Sequence, residues 1–545
     1  MPLHPNSLYY GDNLEVLRNR DDFPNDSIDL IYLDPPFNSK RDYNVLYKTP
    51  AGHDSDSQIT AFEDSWHWGD QAEREYLELV RQTNTELSEL IQSLRKFLKE
   101  TDMMAYLVMM ANRLLEMHRV LKPTGSLYLH CDPTASHYLK IVLDGVFGKE
   151  NFRNEISWKR SPFVGSSKSR ARFFPRNHDI LFFYTKSEDY FFVQNLIPYT
   201  DEYLKRFSNP ENDPNGPWQS VLLKTYSEET LNRLRSSGAL IEGGNSYRYK
   251  FYLKDAPGGK PRDDIWYDEE VQQINPFAKE RLGYPTQKPV ALLERIIEAS
   301  SNPSDIVLDP FCGCGTAVHA AHKLNRKWIG IDITHLAISL IEKRMKDAFP
   351  GISFEVHGVP KDFEGAVDLA RRDKYQFQWW ACSLLNAQPY QGKKKGADSG
   401  IDGLIFPMED PDAPPQKIIV SVKGGEHVGS AMIRDLKGVV EREKAIIGLF
   451  VTLAEPTKDM LREASSAGFH EVGTMKYPKI QILTIKGLLE SRERPEYFDQ
   501  NIIKGSGGFK KAKREAASRK KLPLLFRSTG GESIAAEDES NENER

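Results

Sequence analysis

The stretch Ile306-Val-Leu-Asp-Pro-Phe-Cys-Gly-Cys-Gly-Thr316 constrains the fold more than any other part of this chain. An apolar run delivers an acid, Asp309, and two glycines follow before a helical pattern begins at Thr316. Such a pattern predicts a buried parallel strand that turns tightly into a helix. Gly313 and Gly315 permit a turn in which the backbone approaches a ligand closely. The next apolar run, Trp328-Ile-Gly-Ile-Asp332, ends in a second acid. It lies about twenty residues on, where nucleoside-binding sheets place their acceptor for a ribose hydroxyl. No Lys-Ser/Thr pair accompanies the glycines, which disfavours a P-loop for nucleoside triphosphates. Cys312 and Cys314 read as small buried residues, because a lone Cys-x-Cys is a weak metal signal and no ligand set accompanies it.

Other periodicities surround this unit. Residues 28–34, Ile-Asp-Leu-Ile-Tyr-Leu-Asp, read as a buried strand that Pro35-Pro36 terminates. Helices are predicted over 103–120 and about 135–145, with a break at Lys122-Pro-Thr-Gly125 and strands at Leu127–His130 and Ile180–Tyr184. Downstream, Leu292–Ala299, Thr316–Leu324 and Leu336–Lys346 are helical, and Ile306–Leu308 and Trp328–Ile331 are strands. Strands alternating with helices predict an α/β fold with a mostly parallel sheet. Between 187 and 280 the pattern is irregular, rich in Asn, Gly, Pro and aromatic residues, and reads as an insertion.

Asp34-Pro-Pro-Phe37 closes the first strand. The two prolines fix the backbone and remove donors, leaving carbonyl oxygens outward. A carboxylate, a rigid carbonyl and an aromatic face suit a flat ring with an exocyclic amine. Asp34 and the Pro35 carbonyl accept its two N–H groups, and Phe37 stacks on the ring. Accepting both hydrogens draws the amine lone pair out of conjugation and aims it at an electrophile.

These motifs together resemble the S-adenosylmethionine-dependent amino-methyltransferases of DNA found in bacteria and phages. Asp34-Pro-Pro-Phe37 is similar to their catalytic motif, making Asp34, Pro35, Pro36 and Phe37 the implied catalytic residues. Asp309-Pro-Phe-Cys-Gly-Cys-Gly-Thr316 is similar to their methyl-donor motif, and the catalytic motif precedes it, as in the permuted beta group. Gly283-Tyr-Pro-Thr-Gln-Lys-Pro289 resembles an additional cofactor-side motif, and Tyr10-Gly-Asp12, Leu129-His-Cys-Asp132 and Asn177-His-Asp179 match weaker family positions. The resemblance covers about 8–348 and implies a Rossmann-like, seven-stranded sheet between helices over 1–350, with target recognition in 187–280. It also implies that Asp309, Pro310, Phe311, Gly313, Gly315, Thr316, Thr286 and Lys288 seat S-adenosylmethionine, with Asp332 on its ribose. The acid at the first motif position resembles adenine-N6 enzymes, whereas cytosine-N4 enzymes more often carry Ser there. A site-specific adenine methyltransferase acting on a flipped base of double-stranded DNA, in restriction-modification or phage defence, is therefore expected. Three alternatives stay open: a cytosine-N4 enzyme, a bifunctional methyltransferase–nuclease, and a non-catalytic nucleic-acid-binding protein on the same scaffold. A restriction or defence-system subunit and a second copy of the chain are the partners the resemblance admits.

Lys159, Arg160, Lys168, Arg170, Arg172 and Arg176 lie in one stretch without an acid, interleaved with Phe163, Phe173 and Phe174 around Gly165-Ser-Ser167. This reads as a DNA-binding loop that contacts phosphates or displaces a base.

A second α/β unit is expected over 360–500. Helices near Phe377–Leu385 and 432–443 alternate with strands at Ile401–Phe406, Ile418–Val422 and Ile446–Thr452. Gly400-Ile-Asp-Gly403 followed by Ile418-Ile-Val-Ser-Val-Lys423 resembles the strand pair of the restriction-endonuclease-like fold. Arg434-Asp-Leu-Lys-Gly438 and Gly448-Leu-Phe-Val-Thr452 resemble Mrr-type domains. In that pattern Asp402 and Lys423 match, but Ser421 stands where an acid or Gln is common, and Gln378 where the preceding helix often has an acid. One carboxylate holds a divalent cation poorly, so a nuclease remnant kept for DNA or partner contact is expected, with a metal only if the domain cuts.

Composition fits two or three domains of a soluble protein. The 545 residues are 39% hydrophobic and 28% charged, and no apolar run reaches the roughly 20 residues of a spanning helix. The N-terminus lacks the basic and apolar regions of a signal peptide, and the four cysteines are too few for a disulfide framework, so a cytoplasmic location is expected. The net charge of −5 averages unlike parts. After the hinge-like Gly505-Ser-Gly-Gly508, the segment 504–527 carries nine Lys or Arg against Glu515, and 528–545 carries six acids against Arg545. Residues 504–545 are expected to form a disordered tail in which the acidic end competes with DNA for the basic part.

Overall fold

The computed structural model describes residues 3–36, 41–48, 54–64, 67–162, 172–209, 211–243, 246–275, 278, 280–282, 284, 286–390, 400–407, 409, 416–499 and 514–515, with only the backbone for 41–48, 54–64, 243 and 389. Phe37, Lys168, Arg170, Phe163, Gly165-Ser-Ser167, Gly283, Pro285, Gly505-Ser-Gly-Gly508 and nearly all of the charged tail therefore lie outside the described residues.

A nine-stranded sheet organises the first 357 residues. Its spatial order is Ile265–Trp266, Phe152–Lys159, His178–Thr185, Leu121–Cys131, Ile28–Leu33, Ile306–Asp309, Lys327–Asp332, Ser7–Tyr10 and Glu355–His357. Only His178–Thr185 runs antiparallel to its neighbours; every other pairing in the sheet is parallel. The expected seven strands are there, and two short edge strands extend them. One edge strand, Ile265–Trp266, comes from the insertion and pairs with Ser157 and Trp158.

Alternation along each strand builds two apolar layers. Leu30 and Tyr32 pack with the helices Val290–Ser300 and Thr316–Lys323, whereas Ile31 and Leu33 pack against Asp102–Val120 and Ser136–Phe147. Asp102–Val120 starts where the Thr101 hydroxyl accepts from the Met104 N–H, and it is buried almost throughout. The break predicted at Lys122-Pro-Thr-Gly125 takes another form: Leu121–Cys131 is one strand with a slipped register. Ile28 faces Leu121 while Leu30 faces Ser126, because Pro123 has no N–H for the ladder and the extra residues bulge out.

The segment 187–280, unassignable from its pattern, holds a three-stranded antiparallel sheet of Trp218–Leu222, Leu240–Gly243 and Ser246–Tyr252 beside the helix Glu228–Ser236. Residues 40–102 also carry unforeseen elements, a hairpin of Arg41–Lys48 with Asp54–Asp64 and the helices Asp70–Val80 and Thr85–Leu98.

A second, five-stranded sheet runs Gln388–Pro389, Gly403–Ile405, Ile418–Lys423, Ile447–Thr452 and Ile480–Thr484. Its last three strands are parallel. The helix Lys374–Leu384 joins this sheet's core to the first one: Phe377, Trp380 and Ala381 share an apolar cluster with Ile338 and Ile341. Of the tail, Glu515 is described against the first unit. Its N–H donates to the Ala348 carbonyl at 3.0 Å, and its carboxylate meets His319 at 3.3 Å. Among the described residues no helix is long and apolar enough to cross a membrane.

Candidate active site

Three neighbouring parallel strands, Ile28–Leu33, Ile306–Asp309 and Lys327–Asp332, end at one edge of the large sheet. Their ends carry Asp34, Asp309 and Asp332 in a row, with outer members two strand spacings, about 10 Å, apart. The edge is also a topological switch point. Leaving Ile28–Leu33 the next sheet partner, Leu121–Cys131, lies on one side, and leaving Ile306–Asp309 the next, Lys327–Asp332, lies on the other. Open α/β sheets bind ligands in the crevice at such a point.

Asp34 is largely shielded, and Lys288 Nζ forms an ion pair with its Oδ2. Lys288, expected to seat a donor, has its ammonium at the catalytic corner, across 254 residues of sequence. Asp309 is buried and accepts from the Phe311 N–H at 3.2 Å. Burial pushes its carboxyl well above the ordinary range, the charges of Asp34 and Asp332 add to this, and the Phe311 N–H and Lys288 oppose it. Asp332 accepts from Gly313 N–H at 2.9 Å and from both the N–H and hydroxyl of Thr334 at 2.9 Å. Burial raises it to about 6 against those hydrogen bonds.

The turn between the last two acids needs its glycines. Gly313 has φ 49° and Gly315 φ 72°. A Cβ on Gly313 would stand 3.3 Å from Tyr284 Cε1, and one on Gly315 would stand 2.8 Å from Ile341 Cγ1. Gly315 caps the helix Thr316–Lys323, whose first N–H groups open toward this edge. The Pro310 carbonyl accepts from Asn13 Nδ2 at 2.7 Å; Arg113 holds Asn13 in turn and forks onto both oxygens of Asp12. Tyr10-Gly-Asp12 thus buttresses the turn from the adjacent strand.

Thr316, expected beside the donor, has a buried hydroxyl that accepts from Arg344 Nη1 at 3.2 Å. Thr286 is exposed in a left-handed conformation, φ 61°. Pro35 and Pro310 are buried, Pro36 and Phe311 half-buried. All four cysteines are buried and free, and burial pushes the Cys312 and Cys314 thiols up, as inert thiols require.

Sequence reasoning gave only a weak hint of a buried chain behind Asp34. Tyr32 OH meets His130 Nδ1 at 3.0 Å, and His130 Nε2 meets Asp179 Oδ2 at 3.3 Å. Arg160 Nη1 lies 3.5 Å from Asp179 Oδ1. Tyr32 precedes Asp34 by two residues and shares its strand face. Burial, then Asp34, Asp309 and Asp179, push the Tyr32 phenol well above its usual range. Burial alone would raise Asp179; the His130 hydrogen bond outweighs it, with help from Lys288 and Arg160, and holds the carboxylate below the usual range. A tyrosine and a histidine within otherwise apolar strands were the available signal.

Of the six basic residues at 159–176, Arg160 is partly committed inward to Asp179, and Arg176 donates to Thr134 Oγ1 at 3.0 Å. Lys159 is half-buried and Arg172 exposed. In the smaller sheet, Asp402 Oδ2 accepts from Val422 N–H at 2.7 Å and lies 3.5 Å from Ser421 Oγ, beside the strand end that carries Lys423.

Comparison with known proteins agrees with this layout. The DNA methylase family model matches residues 28–343, and a restriction endonuclease model matches 369–487. The chain is 30% identical over 366 residues to Type II methyltransferase M.EcaI of Enterobacter cloacae, covering 62% of this chain and 69% of that protein. It is 26% identical over 358 residues to the Mod subunit of the Type III restriction-modification enzyme StyLTI of Salmonella typhimurium, 59% of this chain and 50% of that one. Among solved structures, PvuII DNA methyltransferase (cytosine-N4-specific) aligns over 65% of this chain and 96% of that one at TM-score 0.33 and 14% identity. With its strands, its acids and more than half of its length inside the matched span, the chain belongs to the N6/N4 DNA methylase family.

Proposed function

We propose that this chain transfers a methyl group from S-adenosylmethionine to adenine N6 of a base turned out of double-stranded DNA, as the modification arm of a restriction or defence system. The observation that carries the reading is the row Asp34, Asp309 and Asp332 on three consecutive strand ends, with Lys288 on the first and the Gly313 N–H on the last.

The residues at this edge fit the donor. Three carboxylates against one lysine favour a cation with hydroxyl groups over a phosphate. The left-handed Gly313–Gly315 turn keeps its backbone free of side chains that would stand between it and a ligand. Asp332, Asp309 and the turn backbone are the groups to hold it, with Ile333, 56% exposed directly after Asp332, as an apolar face alongside. When bound, S-adenosylmethionine supplies an electrophilic methyl group on a sulfonium.

Asp34 then acts on the target. Its carboxylate, held by the Lys288 ammonium, accepts an amine N–H and concentrates lone-pair density on the nitrogen. It is also placed to take the proton released as the new N–C bond forms. No cysteine is needed as a nucleophile. An acid rather than Ser at this position favours adenine N6. Mass spectrometry of nucleosides from treated DNA tests the reading; N4-methylcytosine without N6-methyladenine would sink the adenine assignment.

We further infer that the C-terminal unit keeps a nuclease fold without cutting. Beside Asp402 stands Ser421, a hydroxyl 3.5 Å from its carboxylate, at the position where a second acid would help hold a divalent cation.

A further inference from the structure

Phe173 and Phe174 are 69% and 97% exposed. The segment that bears them is tied down firmly. Arg160 N–H donates to the Asn177 carbonyl at 3.0 Å, and Arg160 Nη2 to the Arg176 carbonyl at 3.1 Å. Asn177 Nδ2 donates to the Ser161 carbonyl at 2.7 Å, and Ser161 Oγ lies 3.0 Å from Asn177 Oδ1. Residues 159–161 and 176–178 therefore form a stalk.

The stalk rises from the catalytic edge. Lys159 ends its strand and His178 begins the antiparallel one, so both lie at the side where Cys131 and Leu33 end theirs. At its base Arg160 meets Asp179, and the buried chain through His130 to Tyr32 leads to the strand that presents Asp34. The aromatic tip and the catalytic acid hang from one connected set of side chains.

We propose that Phe173 and Phe174 form an aromatic wedge that enters duplex DNA where the target base has left the stack, with Arg172 and Arg176 on the flanking phosphates. Extruding a base exposes the faces of its neighbours, and two phenyl rings restore that stacking. Charge selects this occupant: described residues 159–162 and 172–177 hold Lys159, Arg160, Arg172 and Arg176 and no acid. An apolar protein partner or a neutral lipid surface would have no use for Arg172 and Arg176 flanking two rings with no acid among them. The inference rests on the methyl-transfer reading, which requires an extruded base.

The test uses the full chain and a duplex carrying the site found by sequencing DNA from cells that express it. One duplex pairs the target base normally; the other has an abasic position opposite it, so extrusion is already eased. The F173A/F174A variant should lose about tenfold or more of turnover on the paired duplex and return to within about threefold of the parent on the abasic one. Donor binding should be unchanged. Equal losses on both duplexes, or no loss on either, overturn the wedge alone. Absence of any methylated base in the expressing cells would take down the transfer reading and the wedge with it.

Discussion

At the edge of the nine-stranded sheet three consecutive strands deliver Asp34, Asp309 and Asp332, whereas the corresponding edge of the five-stranded sheet delivers Asp402, Ser421 and Lys423. Both edges use the sheet to fix side chains, the first where strands stop, the second at the start of Gly403–Ile405 and along the end of Ile418–Lys423. They differ in charge. At the first edge burial raises both Asp309 and Asp332, and the charges of Asp34 and Asp332 push Asp309 further. At the second, the Val422 N–H binds Asp402 and a hydroxyl stands where a second carboxylate is needed. A shared kind of fold therefore does not fix the chemistry at its edge, which the side chains there decide.

The sharpest way to break this contrast is Asp34→Ala. Methyl transfer should fall on the order of 10³-fold, since the carboxylate both binds the amine and takes its proton. Calorimetry with S-adenosylmethionine should still show binding; its loss would point to a misfolded protein. Lys288→Gln should have a smaller effect. Removing the charged partner of Asp34 loosens its carboxylate, so turnover should fall on the order of tenfold while donor binding holds. Unchanged turnover with weakened donor binding would mean that Lys288 serves the donor alone.

Gly315→Ala tests the turn. Left-handed backbone and a Cβ 2.8 Å from Ile341 together cost about 2–4 kcal/mol, read as a lower Tm and weaker donor binding. Gly313→Ala should be milder, because its nearest neighbour, the Tyr284 ring, is at 3.3 Å. The reverse ranking would mean that the donor contacts Gly313 more closely than packing suggests.

These local features were legible because each is written in a few adjacent residues. An apolar run ending in Asp and then Gly or Pro specifies its own strand, stop and turn, and strands Ile306–Asp309 and Lys327–Asp332 fall where the pattern puts them. The ties between such units were not legible. Lys288 reaches Asp34 across 254 residues, Asn13 reaches Pro310 across 297, and no periodicity encodes either meeting. Thr316 adds a shorter tie of the same kind, its hydroxyl accepting from Arg344 on a later helix. The sheet at 218–252 escaped because its strands are only half-buried, so polar residues interrupt the alternation that marks a strand.

Donor binding should also depend on pH, by a few-fold. Asp332 is raised to about 6 by burial. A cationic ligand favours its anion, so affinity should rise as pH increases through about 6 and level off above it. Calorimetry between pH 5 and 8 measures this, and affinity that falls over the same range would remove Asp332 from the donor site.

The smallest effect belongs to the second edge, and there the expected result is none. Unmethylated DNA incubated with the protein and Mg²⁺ or Mn²⁺ should stay intact, and Lys423→Ala should leave methyl transfer unchanged. An active metal-dependent nuclease needs at least two acids converging on the cation, with a lysine polarising the attacking water. Asp402 and Lys423 keep the outer members of that set, and Ser421 breaks the middle. Metal-dependent cutting that disappears in Lys423→Ala would show that a carboxylate from elsewhere completes the site. The two edges would then be two active centres on one chain.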